Sequence, residues 1–263
     1  MEREGKYIYC IIGTGEEKNL GPIGIGGRND EVTTCCYQDI GMVISNHPFV
    51  RLAVNRRNTV AHETVVERVM EEFSVLPVRF CTLATDVEEI RDLLAARYRE
   101  FKDLLEDMDR KIELNIKGLW KNMEMTYQEI TEENKEIKRL KEEIGKNMGK
   151  VSLQTKMSIG TLVENALSEK KKKEMDHIIE TFGATAATHK RNSTIGDEMF
   201  MNAAFLIDKG REKEFDDRIN ELSEKYEDRI KFIYAGPFPP YNFANITIYP
   251  EEGRSFRHHA FNR

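Results

Sequence analysis

The sequence predicts a mixed α/β (α+β) chain: an N-terminal α/β domain over residues 1–109 and a C-terminal ferredoxin-like βαββαβ domain over residues 110–263 with an elongated helical insertion. Three observations predict it. A strongly amphipathic helical stretch ends near Met108, a period-two strand follows it at once, and the second half reads strand, helices, strand, strand, helix, strand. The 263 residues suffice for two cores, since domains cluster at roughly 100–150 residues.

The first half opens on Tyr7-Ile8-Tyr9-Cys10-Ile11-Ile12, whose β-branched and aromatic residues read as a strand. The Gly21–Gly27 segment reads as turn and short strand, and 31–37 and 40–45 as two further strands. Asn58 stands as the N-cap of a helix with Val60, Val65, Val66, Val69 and Phe73 on its inner face, ending at Ser74. Residues 75–82 return to strand. Pro77 assigns that strand to an edge or places its start there, because proline cannot donate a ladder hydrogen bond. Thr85-Asp86 caps a second helix, whose apolar residues from Val87 to Met108 recur every three or four positions.

In the second half Ile112, Leu114 and Ile116 face one way, with Glu113, Asn115 and Lys117 facing the other. Residues 129–181 read as two helices broken near Gly145 and Gly149, forming an arm laced with Glu–Lys pairs at helical spacing. Strands are expected at 184–190, 200–207 and 230–235, with a helix at 212–226 between the last two. The C-terminal tail, with His258-His259, reads as polar and frayed.

Composition narrows the function. With 40% hydrophobic residues, 33% charged residues and a net charge of -6, the chain can fold but is a poor match to nucleic acid, which rewards a basic face. No run reaches the ~20 apolar residues of a membrane span, and the N-terminus lacks the form of a signal peptide, so a cytoplasmic protein is expected. Cys10, Cys35, Cys36 and Cys81 show no CxxC spacing and read as reduced thiols.

No catalytic or cofactor motif is complete. The glycines at 21–27 lack the GK[ST] ending of a phosphate loop. His62-Glu63 starts like a zinc-protease motif, but Val66 stands where the second histidine belongs. Neighbouring Cys35 and Cys36 point to opposite faces of a strand, and no GxSxG elbow is present. The lysines at 170–173 sit among glutamates and read as a solvated helix surface. No enzyme, no metal and no cofactor are expected.

Two segments stand out. Leu76-Pro77-Val78-Arg79-Phe80 places an arginine inside an apolar strand, and Gly236-Pro237-Phe238-Pro239-Pro240-Tyr241-Asn242-Phe243 is a proline- and aromatic-rich stretch after the last strand. Prolines preset a backbone shape, and the aromatics either pack within the protein or meet a partner. For Arg79 and Phe80 the same two readings stand: a protein contact, or an internally paired arginine beside a core phenylalanine.

These segments, with Tyr7-Ile8-Tyr9, Ala61-His62-Glu63 and the run Asn202 to Asp208 (NAAFLID), make the chain resemble the GvpF/GvpL family of gas vesicle proteins. The matching residues span most of the chain in the family's order. Cys81 departs from the glycine common there, and Phe238 from the usual tryptophan. The resemblance implies the two-domain fold predicted above and a cytoplasmic accessory protein of gas vesicle formation. Its implied partners are the small hydrophobic shell protein and other gas vesicle accessory proteins, and it implies no catalytic residue. A minor structural component of the vesicle wall, or a ferredoxin-like ligand sensor or enzyme, are the alternatives. The N-terminal domain, with its short strands and expected free edges, is the expected contact region, with Arg79 and Phe80 at the contact.

Overall fold

The computed structural model of the chain describes residues 3–146, 152–244 and 246–248. Strands β1 (Glu4–Ile12), β2 (Asn19–Gly21), β3 (Val32–Tyr37), β4 (Ile40–Pro48) and β5 (Val75–Ala84) form one sheet in the order β2-β3-β4-β1-β5. Helix α1 (Arg56–Met70) packs its Val65, Val66 and Val69 on one face. Helices α2 (Val87–Ala96) and α3 (Tyr98–Asp107) pack Ile90, Leu94, Phe101 and Leu105 on the other. The central β1 is therefore buried on both faces, which is why its sequence is apolar without alternation. β5 lies at the edge, as Pro77 predicts.

Local signals set the helix starts. Asn55, three residues before the expected cap, accepts from the Asn58 backbone N–H at 3.0 Å. Asp86 accepts from the Glu89 N–H at 2.9 Å, and the Glu89 carboxylate reaches back to the Thr85 N–H at 2.6 Å. The single helix expected from Val87 to Met108 is two. At Arg97 (φ −110°, ψ 21°) the chain leaves the helix, and the guanidinium bonds the Thr247 carbonyl at 2.9 Å and the Glu100 carboxylate at 2.6 Å.

The pleat of β1 skips a beat. Ile8 and Ile11 face α2 and α3, whereas Tyr7, Tyr9, Cys10 and Ile12 all face α1. The skip follows from a register shift between Ile8 and Cys10 against both neighbouring strands. Against β5 the mismatch is large: Ile8 pairs Thr82 and Cys10 pairs Pro77, so Val78 to Cys81 stand opposite Tyr9 alone. The excess loops outward and closes at Cys81, in the left-handed region at φ 65°. That conformation favours glycine and explains why a glycine suits this position.

Three hydrogen bonds hold the bulge. The Cys81 N–H donates to the Tyr7 hydroxyl at 2.9 Å, the Thr82 hydroxyl to the Arg79 carbonyl at 2.7 Å, and the Leu52 N–H to the Cys81 Sγ at 3.1 Å. The Tyr7 hydroxyl also hydrogen-bonds His62 Nδ1 at 3.0 Å, with the donor set by the imidazole tautomer. His62 is 3% exposed, stacked 5.7 Å from Tyr9 and edge-on to Phe80 at 5.9 Å. Burial pushes its imidazole down to about 4, opposed by the Val78 carbonyl.

A second sheet joins β6 (Lys111–Trp120), β7 (Thr188–Arg191), β8 (Met199–Asp208) and β9 (Ile230–Phe238) in the order β7-β8-β6-β9. With helices after β6 and an α7 (Glu212–Lys225) after β8, this is the predicted ferredoxin-like order. The first connection holds α4 (Met123–Glu133), α5 (Lys135–Lys146) and α6 (Leu153–Thr181), one helix more than expected. The added break falls at Asn134, whose side chain caps α5 by accepting from the Ile137 N–H at 3.2 Å. Gly145 lies within α5, and Gly149 lies outside the described residues.

Phe182, Phe205 and Phe215 form the aromatic centre of this core, with ring centroids 4.4 to 5.3 Å apart. Nearby, Trp120 stacks on Phe200 at 5.2 Å over Gly118, where any Cβ would stand 2.6 Å from the Phe200 ring. The indole N–H donates to Glu174 at 2.7 Å, and Arg229 pairs with the same carboxylate at 2.6 Å. Lys170 is buried between Glu129 and Glu133 at 3.0 and 2.9 Å, so the lysine run is not wholly a solvated face.

The chain divides into two compact units, Met1–Glu113 with Pro237–Arg263, and Leu114–Gly236. The division differs from the sequence expectation of 1–109 and 110–263. Residues after Gly236 return to the first unit because Ala244 and Ile246 fill its core and Asn242 bonds the buried Glu113.

Three outcomes follow from this packing. Cys81→Val should lower stability by about 1–2 kcal/mol relative to Cys81→Gly, because a β-branched residue resists a positive φ; equal urea midpoints would refute the account. His62 has a folded pKa below its unfolded value, so its stabilisation is complete above about 6.5 and lost as the pH falls toward 4. That loss is at most about 3 kcal/mol, and His62→Gln should flatten the stability–pH curve over this interval. Glu174→Ala strands the indole N–H and leaves Arg229 paired with Glu129 alone, costing about 1–3 kcal/mol. Fluorescence of Trp120, the chain's single tryptophan, should report that unfolding.

Candidate functional site

The outward bulge of β5 forms one wall of a cleft of about 430 Å³. Pro77, Val78, Arg79 and Phe80 supply that wall, and Tyr241, Ala244, Ile246 and Thr247 supply the other. All eight belong to the first unit. The two segments singled out in the sequence, more than 150 residues apart, thus meet at one place.

Each wall is fixed. On the β5 side, Phe80 is half-buried, edge-on to Tyr7 at 6.4 Å and to His62, while Arg79 is exposed. Arg79 forms no ion pair or side-chain hydrogen bond among the described residues, so the internally paired reading does not describe it. On the other side, Pro239 and Pro240 are buried and start a tight turn in which the Ala244 N–H donates to the Pro240 carbonyl at 2.8 Å. Glu113, 1% exposed, accepts from the Asn242 backbone N–H at 2.7 Å and from its side-chain amide at 2.6 Å. Arg97 holds the Thr247 carbonyl. Tyr241 is 36% exposed; burial raises its phenol pKa, and the carboxylates of Glu63 and Glu67 add to the rise.

Neither Glu113 nor Arg97 was singled out in the sequence. Glu113 did occupy the polar face of a period-two strand, and a carboxylate there that is buried must find donors.

The other motif residues lie elsewhere. Gly236 closes the second unit at φ 137°, and Pro237 and Phe238 end β9. Asn202 belongs to the second unit, where its amide donates to the Ser193 carbonyl at 2.7 Å and pins the β7–β8 connection.

The cleft joins one cationic side chain, Arg79, to the aromatic rings of Phe80 and Tyr241 and to polar backbone and hydroxyl groups. Among the described residues no cluster of three His, Cys, Asp or Glu could hold a metal, and no helix is long and apolar enough to cross a membrane.

Known proteins with the same features agree on one family. The family model described as "Gas vesicle synthesis protein GvpL/GvpF" matches residues 5–245. Gas vesicle protein F of Dolichospermum flosaquae is 30% identical over 73% of this chain and 78% of its own length. Gas vesicle protein F of Microcystis aeruginosa is 27% identical over 92% of this chain and 98% of its own. The crystal structure of GvpF from Microcystis aeruginosa superposes with a TM-score of 0.77 at 25% identity, covering 92% of this chain and 99% of that one. GvpF from an Anabaena species gives 0.79 at 23% identity, over 93% and 100%, and shares the fold. The chain therefore belongs to the gas vesicle synthesis protein GvpL/GvpF family, and its role lies in gas vesicles.

Proposed function

We propose that this chain is a cytoplasmic accessory protein of gas vesicle assembly that binds the small hydrophobic shell protein through its first unit, at the cleft beside Arg79 and Phe80. The observation that carries the reading is an exposed, unpartnered arginine on the bulge of an edge strand, across from Tyr241 and Thr247 on a wall held by a buried carboxylate. A subunit that polymerises into a sheet exposes strand edges and apolar surface before it is incorporated. An edge strand next to an aromatic-lined cleft offers backbone pairing and side-chain pockets together. Family membership supplies the gas vesicle context.

The test is shell-protein binding by the full chain and by Arg79→Ala and Tyr241→Ala. Each variant should weaken binding about tenfold, as loss of an interface arginine or tyrosine commonly does, with an unchanged melting temperature. Full affinity in both would sink the assignment to this cleft.

A further inference from the structure

Another surface of the first unit carries charge without counter-charge. Arg51, Arg56 and Arg57 are all exposed, and none forms an ion pair among the described residues, unlike Arg28, Arg68, Arg91 and Arg97. Interleaved with them are exposed apolar side chains: Val50 at 41%, Val54 at 76% and Val60 at 48%. Arg56 and Arg57 occupy the first turn of α1, where the helix's own positive pole opposes them and no acidic residue offsets it. Val60 lies one turn on, beside both. Further along α1, Glu63 and Glu67 act on Tyr241 and pair with no arginine.

The segment is not loose. The Leu52 N–H is tied to Cys81 Sγ, the Asn58 amide donates to the Ala53 carbonyl at 2.9 Å, and Asn55 caps the helix. The backbone that carries the three arginines is thus held on a preformed frame, with valines interleaved among them in sequence.

We propose that this is a docking surface for an acidic segment of a partner protein, one that alternates carboxylates with small apolar side chains. Guanidinium forks match carboxylates bidentately, and arginine with apolar contact is the composition of protein interfaces. No aromatic side chain is interleaved with the three arginines to stack a nucleobase. Valines, too small to insert as aromatic or leucine side chains do, also fit a protein better than a membrane. The inference does not depend on which partner fills the cleft, because Arg79 is not part of this surface.

The probe is a fluorescein-labelled peptide of about twelve residues alternating glutamate with alanine and valine, of a length that spans one interface segment. It is titrated with the full chain, alongside a lysine-for-glutamate peptide, a single-stranded DNA oligonucleotide and phosphatidylglycerol vesicles. Combined Arg51→Glu, Arg56→Glu and Arg57→Glu should cut affinity for the acidic peptide at least tenfold. The melting temperature should hold or rise, because glutamates suit the start of α1. Arg79→Ala should change the affinity less than twofold. If charge reversal prevents folding, Arg51→Gln with Arg57→Gln must still lower affinity at least threefold. Parental affinity in the folded variant, equal loss with Arg79→Ala, or tighter binding of the DNA or the vesicles would overturn the proposal.

Discussion

The first unit is organised around the hydroxyl of Tyr7. A central strand buried on both faces cannot shift its register without turning side chains to the wrong side of the sheet. Here β1 does shift, and the three surplus residues of β5 need a fixed route out and back. Tyr7 meets that need from inside the core by accepting from the backbone at Cys81 and hydrogen-bonding His62 on α1. Sheet, bulge and helix are thereby joined by one side chain with no solvent-facing polar atom left to it. The orientation of Phe80 and the outward path of Arg79 depend on that junction.

Much of this architecture was legible in the sequence because it follows from local chemistry. The apolar run of β1, the carboxylate cap of α2, the edge placement of Pro77 and the strand order of the second sheet all come from residues acting on near neighbours. What escaped depends on distant partners. The apolar spacing of 87–108 continues through Arg97 without interruption, whereas the arginine's bond to the Thr247 carbonyl, 150 residues away, leaves no mark on that spacing. The domain boundary was misplaced for the same reason: nothing near Ala244 and Ile246 indicates that they complete a core begun at Ile8.

The cleft was half visible. Both of its walls were picked out by unusual composition, since an arginine in an apolar strand and a run of prolines after one break the local pattern. Their meeting was not, because it relies on Glu113, whose alternating strand suggested a solvent-facing carboxylate. Burial of an acid is invisible to periodicity until its donors are known. The arginines at 51, 56 and 57 form no continuous basic run in the sequence, unlike the lysines at 170–173. There the charge at Lys170 is neutralised by Glu129 and Glu133, whereas the arginines stand without carboxylates.

The first unit is a discontinuous body into which residues 114–236 are inserted. During synthesis its sheet and three helices are made first, the entire second unit next, and the cleft's second wall last. Until residues beyond Pro237 leave the ribosome, the places of Ala244 and Ile246 are empty and Glu113 lacks the amides of Asn242. The cleft is thus completed late in synthesis: a nascent polypeptide can display the arginine wall before residues 241–247 supply the other.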